Sequence, residues 1–130
     1  MTKQELQEYY WVRRNIQRLK DKLLELETEA TKQTTILNHA PKGGGYNKDK
    51  IAGLVAKIME VQDEINGQLQ GSYALLAKIE KAIRVLPQRE GYLIRARYLD
   101  LKTWEQIAAD MHYSWRWIHR IHSEALKLLD

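Results

Sequence analysis

Apolar residues recur every three or four positions through most of the first 86 residues, which is the spacing of one face of a helix. The first series predicts a helix over residues 3–38, interrupted only at Gln33, and its apolar positions are Tyr9, Val12, Ile16, Leu19, Leu23, Leu26, Ala30 and Leu37. The second predicts a helix over residues 48–86, with Gln68 and Ser72 inside its seam. Its apolar positions are Ile51, Leu54, Ile58, Val61, Ile65, Leu75, Ile79, Ala82 and Leu86. A heptad pattern sustained for about four repeats is typical of a coiled coil.

The residues between the two series predict a reversal of the chain. Pro41 stops the first helix, the glycines at 43–45 provide a turn, and Asn47 can cap the second helix. The glycines do not form a phosphate-binding loop, because no strand precedes them and the Gly-Lys-Ser/Thr ending is missing. We therefore expect residues 1–86 to form a long antiparallel coiled-coil hairpin.

In this hairpin the seams match along their full length, with Leu37 opposite Ile51 near the turn and Tyr9 opposite Ile79 at the other end. Several apolar residues lie beside the seams: Tyr10, Trp11, Leu24, Val55, Leu69, Leu76 and Ile83. The wider apolar face of the second helix requires a further contact, either with the C-terminal domain or with another copy of the protein.

Pro87 ends the second long helix, and the rest of the chain predicts three short helices, at about 88–99, 103–111 and 114–129. Thr103 followed by Gln106 fits a capping box, and Ser114 is a good N-cap for the last helix. Two helices joined by so short a turn predict a helix-turn-helix. Its buried face would comprise Ile107, Ala108, Met111, Ile118, Ile121, Ala125, Leu126 and Leu129. Tyr113 would fill the angle between the two helices.

Composition limits the class of protein further. The 130 residues are 44% hydrophobic and carry a net charge of +4, which suits an all-α fold of one or two domains, here 1–86 and 87–130. The absence of cysteine excludes a disulfide scaffold and a zinc ribbon. No apolar run approaches the roughly 20 residues of a membrane span, and the polar N-terminus lacks the apolar core of a signal peptide. We expect a cytoplasmic protein.

The C-terminal third resembles a known family. Residues 98–108 (YLDLKTWEQIA) and 111–114 (MHYS) are similar to region 4 of bacterial sigma factors, and residues 118–129 (IHRIHSEALKLL) resemble the end of that region. Tyr113-Ser114 with residues 119–121 also resembles phage-encoded regulators of the ArpU and RinA type. The resemblance covers roughly residues 86–129. It implies a sigma-like DNA-binding activator of phage late genes, in a bacterial host cell, working on promoter DNA with host RNA polymerase.

The second helix of a helix-turn-helix enters the major groove with its N-terminal half. The outward residues there would be Trp115, Arg116, His119, Arg120 and Ser123, and an arginine can bind guanine through two hydrogen bonds. Phosphate contacts are expected from the flanks, namely Lys102, Thr103 and the N-terminal amides of the 103–111 helix, with weaker candidates at Arg95, Arg97 and Lys127. Ser114 is a further DNA-binding candidate. Trp104 and Trp117 are expected to be packing residues.

Two features leave other functions open. Sigma-like proteins usually carry a polar residue at the position of Trp115, and residues 84–130 have a net charge of only +2. The protein could therefore be a module that binds RNA polymerase or another transcription factor without reading DNA. A small terminase-like packaging subunit also combines a helix-turn-helix with a coiled coil. The basic section from Arg13 to Lys22 is either a solvated surface or a docking site.

The sequence predicts no enzyme, no cofactor and no metal. The carboxylates of the hairpin have no cavity, and no Gly-x-Ser-x-Gly or catalytic triad is present. His119 and His122 are three residues apart but lack a third ligand at a recognised spacing. We expect these histidines, together with His112, to lie at the surface or to face the groove.

Overall fold

The computed structural model describes the backbone of residues 1–39 and 45–130, and the side chains of residues 1–36 and 48–130. It is all-α, as predicted, with no strand among these residues. The helices are α1 (Lys3–His39), α2 (Gly45–Arg84), α3 (Gln88–Ile94), α4 (Trp104–Met111) and α5 (Trp115–Leu129), with a π-helix at Arg95–Leu99. None of the described helices combines the length and the apolar character needed to cross a membrane.

The ends of α2 differ from the prediction. The helix begins at Gly45, so Asn47 lies inside it rather than at its N-cap. It ends at Arg84 instead of Leu86, where two short-range backbone bonds tighten the last turn, from Val85 N to Ala82 O and from Leu86 N to Ile83 O. Pro87 explains this end, because a residue that precedes proline is disfavoured in the helical conformation. The predicted turn at residues 40–44 and the side chain of Leu37 lie outside the described residues.

Residues 14–70 form one compact unit, in which the two long helices pair. The predicted seam is buried at Ile16 and Leu19 of α1 and at Val61 and Ile65 of α2. The polar seam residue Gln33 is also buried, and its Nε2 donates to Glu29 Oε1 at 2.9 Å. This pairing confirms the helical hairpin, while its supercoiling as a coiled coil stays a prediction.

Residues 1–13 and 71–130 form the second compact unit. Tyr9 and Ile79 belong to the same buried cluster, as the predicted register requires. Leu6 and Ile83 lie in this cluster too, together with the apolar residues of α3, α4 and α5, so the wide face of α2 is covered at Ile83 by the C-terminal helices. The boundaries of the two compact units thus differ from the predicted domain boundary at residue 86. The division into domains 1–86 and 87–130 stays a prediction.

The helix predicted at 88–99 changes character halfway. It is α-helical only to Ile94 and continues as a π-helix, in which Asp100 N donates to Arg95 O at 2.9 Å. The Arg95 guanidinium binds both carboxylate oxygens of Glu80, at 2.9 and 2.6 Å. These hydrogen bonds hold the pKa of Glu80 below its usual value and fasten the segment to α2.

The two helices of the helix-turn-helix begin where the sequence predicted. Thr103 Oγ1 accepts from Gln106 N at 3.2 Å while Gln106 Oε1 accepts from Thr103 N at 2.9 Å, which completes the capping box. Ser114 Oγ accepts from Trp117 N at 3.2 Å. His112 ends α4 in the left-handed conformation, with φ of 59°. The prediction for Tyr113 was wrong, because its side chain lies exposed at the turn instead of filling the interhelical angle.

The capping box predicts a measurable share of stability. Thr103→Ala removes the acceptor for the Gln106 amide, and we expect the free energy of unfolding to fall by about 1 kcal/mol. Thr103→Ser keeps the hydroxyl and is the matched control. Chemical denaturation followed by circular dichroism measures both variants, and an equal loss in the two would contradict a role for the cap.

Candidate nucleic-acid interface

The N-terminal half of α5 presents a line of exposed polar side chains. Arg116, Arg120 and Ser123 are all exposed, and spacings of four and three residues place them on one side of the helix. The opposite side is held in the core by Ile118 and Ile121, which are almost fully buried. The buried side fixes how α5 is rotated, so the two arginines project away from the core.

Arg116 and Arg120 line a shallow depression together with Ser114 and Trp117. The Arg120 guanidinium lies 5.4 Å from the centre of the Trp117 ring, which orients it without neutralising its charge. In the described part of the chain no carboxylate pairs with either arginine. Both guanidinium groups therefore keep the donors that could bind an acceptor on another molecule. Trp117, expected to pack, is 38% exposed.

Trp115 and His119 form a stack at the start of α5. The Trp115 side chain is 59% exposed, and its ring centre lies 4.0 Å from that of His119. On its other side the His119 ring lies 4.6 Å from the ring of Trp104. His119 Nε2 is shielded from solvent and has no hydrogen-bond partner among the described residues. His119 thus supports Trp115 from below, and Trp104 is the expected packing residue.

The prediction of a surface or groove position for His122 was wrong. His122 is only 7% exposed, and its Nε2 lies 2.7 Å from the Tyr98 hydroxyl in a buried hydrogen bond. The Trp104 ring packs against it with 4.9 Å between ring centres. Burial, assisted by the positive charge of Lys3, lowers the pKa of His122 to about 4. His122 is therefore a neutral core residue at pH 7.

The flanking residues predicted to bind phosphate are engaged within the protein. Lys102 Nζ donates to Asp110 Oδ2 at 2.8 Å, and this bond raises the pKa of Lys102. The Thr103 side chain caps α4, as the Ser114 side chain caps α5. Of the weaker candidates, Arg95 is bound to both carboxylate oxygens of Glu80.

Arg97 has a structural position that the sequence did not reveal. Its guanidinium lies 4.5 Å from the centre of the Trp104 ring and 5.1 Å from that of Tyr10, and Nη1 donates to Lys102 O at 3.1 Å. The cation is therefore stacked between rings of α1 and α4. Only the three-dimensional packing shows this, because Tyr10 and Arg97 are 87 residues apart in the sequence.

These residues border a cleft of about 360 Å³, which we call the N-terminal cleft. Its lining comprises Lys3, Gln7, Tyr10, Trp11, Arg97, Tyr98, Trp104, His119 and His122. The lining contains two cations, two tyrosines, two tryptophans, two histidines and one glutamine, and it contains no carboxylate. The cleft is thus suited to an anionic group attached to a flat or apolar one.

Comparison with known proteins agrees with this geometry. Residues 82–129 match the family described as Sigma-70, region 4, which spans α3, α4 and α5. No curated protein and no solved structure matches the chain significantly. Sigma-70 region 4 domains bind DNA and RNA polymerase and are regulatory rather than enzymatic. The C-terminal residues therefore form a sigma region 4-like helix-turn-helix, which indicates a DNA-binding, transcription-related role.

The buried His122 predicts a specific pH dependence of stability. The unfolded chain binds a proton at this residue near pH 6.5 and the folded chain only near pH 4, so the unfolded state binds more protons between these values. Stability should therefore fall as the pH falls through this window, by about 1 kcal/mol between pH 7 and pH 5.5. Urea denaturation at both pH values measures this loss.

His122→Gln removes the titrating group and should reduce the difference between the two pH values, whatever it does to stability at pH 7. The exposed His112, replaced by glutamine in the same way, is the matched control. A pH dependence in the His122→Gln protein equal to that of the wild type would show that the loss comes from other groups.

Proposed function

We propose that the protein is a sequence-specific DNA-binding regulator of transcription whose α5 reads bases in the major groove. The observation that carries this proposal is a pair of exposed arginines, Arg116 and Arg120, one turn apart on the outer side of the second helix, to which no carboxylate of the described residues binds. This is the part of a helix-turn-helix that contacts base edges. Two guanidinium groups on one side of a helix fit guanines at neighbouring base pairs.

The neighbouring side chains complete the proposed interface. Ser123 lies one turn beyond Arg120 on the same side, and Trp115, held by His119, can pack on a thymine methyl or a sugar. Lys102, Thr103 and Ser114 stand at the N-terminal ends of α4 and α5, where phosphate binding is favoured. When DNA binds, the Lys102 ammonium would either leave Asp110 for a phosphate or contact Asp110 and the phosphate together.

The finer proposal is a phage-type, sigma-like activator of late genes, encoded by a phage or prophage and acting in the cytoplasm of a bacterial host. It is supported by the resemblance of Tyr113-Ser114 and residues 119–121 to ArpU- and RinA-type regulators and by the match to sigma region 4. In this role the protein would bind promoter DNA and host RNA polymerase. The hairpin would hold the reading domain at a set distance, or itself contact polymerase through the basic section 13–22.

Selection of bound duplexes from a random DNA pool tests the proposal. Wild-type protein should enrich one motif at low and at physiological salt. Arg116→Ala combined with Arg120→Ala should abolish the preference for that motif, because each lost guanine contact costs about 1–3 kcal/mol of discrimination. Binding to the selected duplex and to a scrambled one, measured by fluorescence anisotropy, gives the loss directly.

The matched control is Arg14→Ala combined with Arg18→Ala, which removes the same charge with the same spacing from α1. This control can lower overall affinity but should leave the selected motif unchanged. If wild type enriches no motif, or if both double variants affect the two duplexes equally, direct reading by α5 is wrong.

We further propose that the hairpin forms a homodimer. Within residues 14–70, Leu24, Val55 and Met59 are exposed apolar residues outside the seam, and Val55 and Met59 are one turn apart on α2. A second copy would remove this surface from water, and a dimer would place two reading helices on a two-fold symmetric site.

Light scattering over a micromolar concentration range measures the mass, and a dimer is expected. Val55→Glu combined with Met59→Glu should give a monomer, since two buried charges oppose association. Lys50→Gln combined with Lys57→Gln changes the net charge equally at exposed positions and should stay dimeric. A monomeric wild type would overturn the proposal, and a mass of many subunits would favour a terminase-like ring.

The second candidate function is a module that binds RNA polymerase or another transcription factor without reading DNA. The exposure of Trp115 and Trp117 favours it, because exposed tryptophans at the centre of a surface often anchor a protein partner. In that case Trp115→Ala should weaken polymerase binding, while Arg116→Ala combined with Arg120→Ala should leave DNA affinity nearly unchanged.

A further inference from the structure

We propose that the first three turns of α1 are part of the DNA interface, with the N-terminal cleft holding one sugar-phosphate segment of the duplex that α5 reads. The inference rests on the proposed function and extends it to residues far from the helix-turn-helix in sequence. Its basis is the chemistry of the cleft, the arrangement of Lys3, Gln7 and Trp11, and the continuity of the cleft with α5.

The chemistry of the cleft selects an anion. Lys3 and Arg97 contribute positive charge, Gln7 contributes an amide donor, and no carboxylate lies in the lining. The nearby Glu5 forms an ion pair with Lys78, which neutralises its charge. The remaining walls are mainly aromatic rings, against which a deoxyribose can pack. A phosphate attached to a sugar combines these two requirements, and DNA is the polyanion expected at a helix-turn-helix.

Three side chains from the first turns of α1 line the N-terminal cleft. Lys3, Gln7 and Trp11 follow one another at intervals of four residues and therefore lie on one side of the helix. Leu6 and Tyr9, on another side, are buried in the core cluster. The terminal ammonium of Met1 also donates to Leu129 O at 3.3 Å. The start of α1 is thus fixed in place, so a contact with DNA requires no ordering of a loose arm.

The cleft continues into the reading surface of α5. His119 and Trp104 line the cleft, and the same His119 ring supports Trp115 at 4.0 Å. Trp104 is the first residue of α4, the helix whose N-terminal end is expected to face the DNA backbone. A backbone that passes the N-terminal end of α4 would therefore meet Lys3 and Gln7 next.

The test uses the full-length chain and the duplex selected by the wild-type protein. Lys3→Gln removes one charge, and Gln7→Glu places a carboxylate beside the proposed phosphate. Lys57→Gln and Gln70→Glu make the same two changes at exposed positions of residues 14–70. Affinity is measured by anisotropy between 50 and 400 mM salt, on the selected duplex and on a scrambled one. Hydroxyl-radical footprinting then locates the protected sugars.

Lys3→Gln should reduce the salt dependence of log K by about 0.9, the value for one lost phosphate contact, and lower affinity by up to about eightfold at 0.1 M salt. Gln7→Glu should lower affinity at least as much. Both should keep the wild-type ratio between selected and scrambled duplex, and protection should be lost at one backbone position. The two control variants should match the wild type in affinity, salt dependence and footprint.

Variants at Lys3 and Gln7 that bind like their controls would overturn the inference while leaving reading by α5 intact. That is the result expected if an acidic protein segment, rather than DNA, occupies the cleft. Failure of the wild-type protein to prefer any duplex would overturn the proposed function and this inference together. Loss of preference for the selected duplex in Lys3→Gln would also contradict it, because a phosphate contact carries no sequence information.

Discussion

The placement of α5 depends on apolar burial at its inner side. Ile118 and Ile121 lie in the same buried cluster as Ile107 of α4, and all three are almost completely removed from solvent. Each fully buried isoleucine contributes about 2 kcal/mol through removal of apolar surface from water. A rotation of α5 about its axis would expose these isoleucines and turn Arg116 and Arg120 away from the outer side of the domain. The same packing therefore stabilises the domain and aims its candidate reading residues.

Local signals predicted the helix-turn-helix well, whereas contacts between distant residues could not be predicted. The caps at Thr103 and Ser114 act within three residues of themselves, so the sequence determines them directly. The hydrogen bond between Tyr98 and His122 joins side chains 24 residues apart in the sequence, and no rule of sequence spacing predicts it. The shift from α-helix to π-helix after Ile94 likewise has no local motif in the sequence that predicts it.

The modest charge of the C-terminal segment is distributed unevenly. Arg89 and Arg95 are paired with glutamates, and Lys102 is paired with Asp110. In the described residues Arg116 and Arg120 have no such partner, so two uncompensated positive charges lie on the outer side of α5. Net charge alone therefore underestimates the positive potential there. A duplex bound through this side alone would still gain few phosphate contacts. Additional phosphate contacts from α1 or from a second subunit would therefore raise the affinity substantially.

The sigma-like match begins at residue 82, yet the compact unit that contains it also includes residues 1–13 and 71–81. Leu6 and Ile79 are fully buried in its core, and Tyr10 stacks on Arg97. Residues 82–129 alone would expose that core and lose a wall of the N-terminal cleft. The first turns of α1 and the last turns of α2 therefore complete the core of the helix-turn-helix. Tyr10 of α1 and Trp104 of α4 both pack on the Arg97 guanidinium, so the start of α1 also supports the first residue of α4.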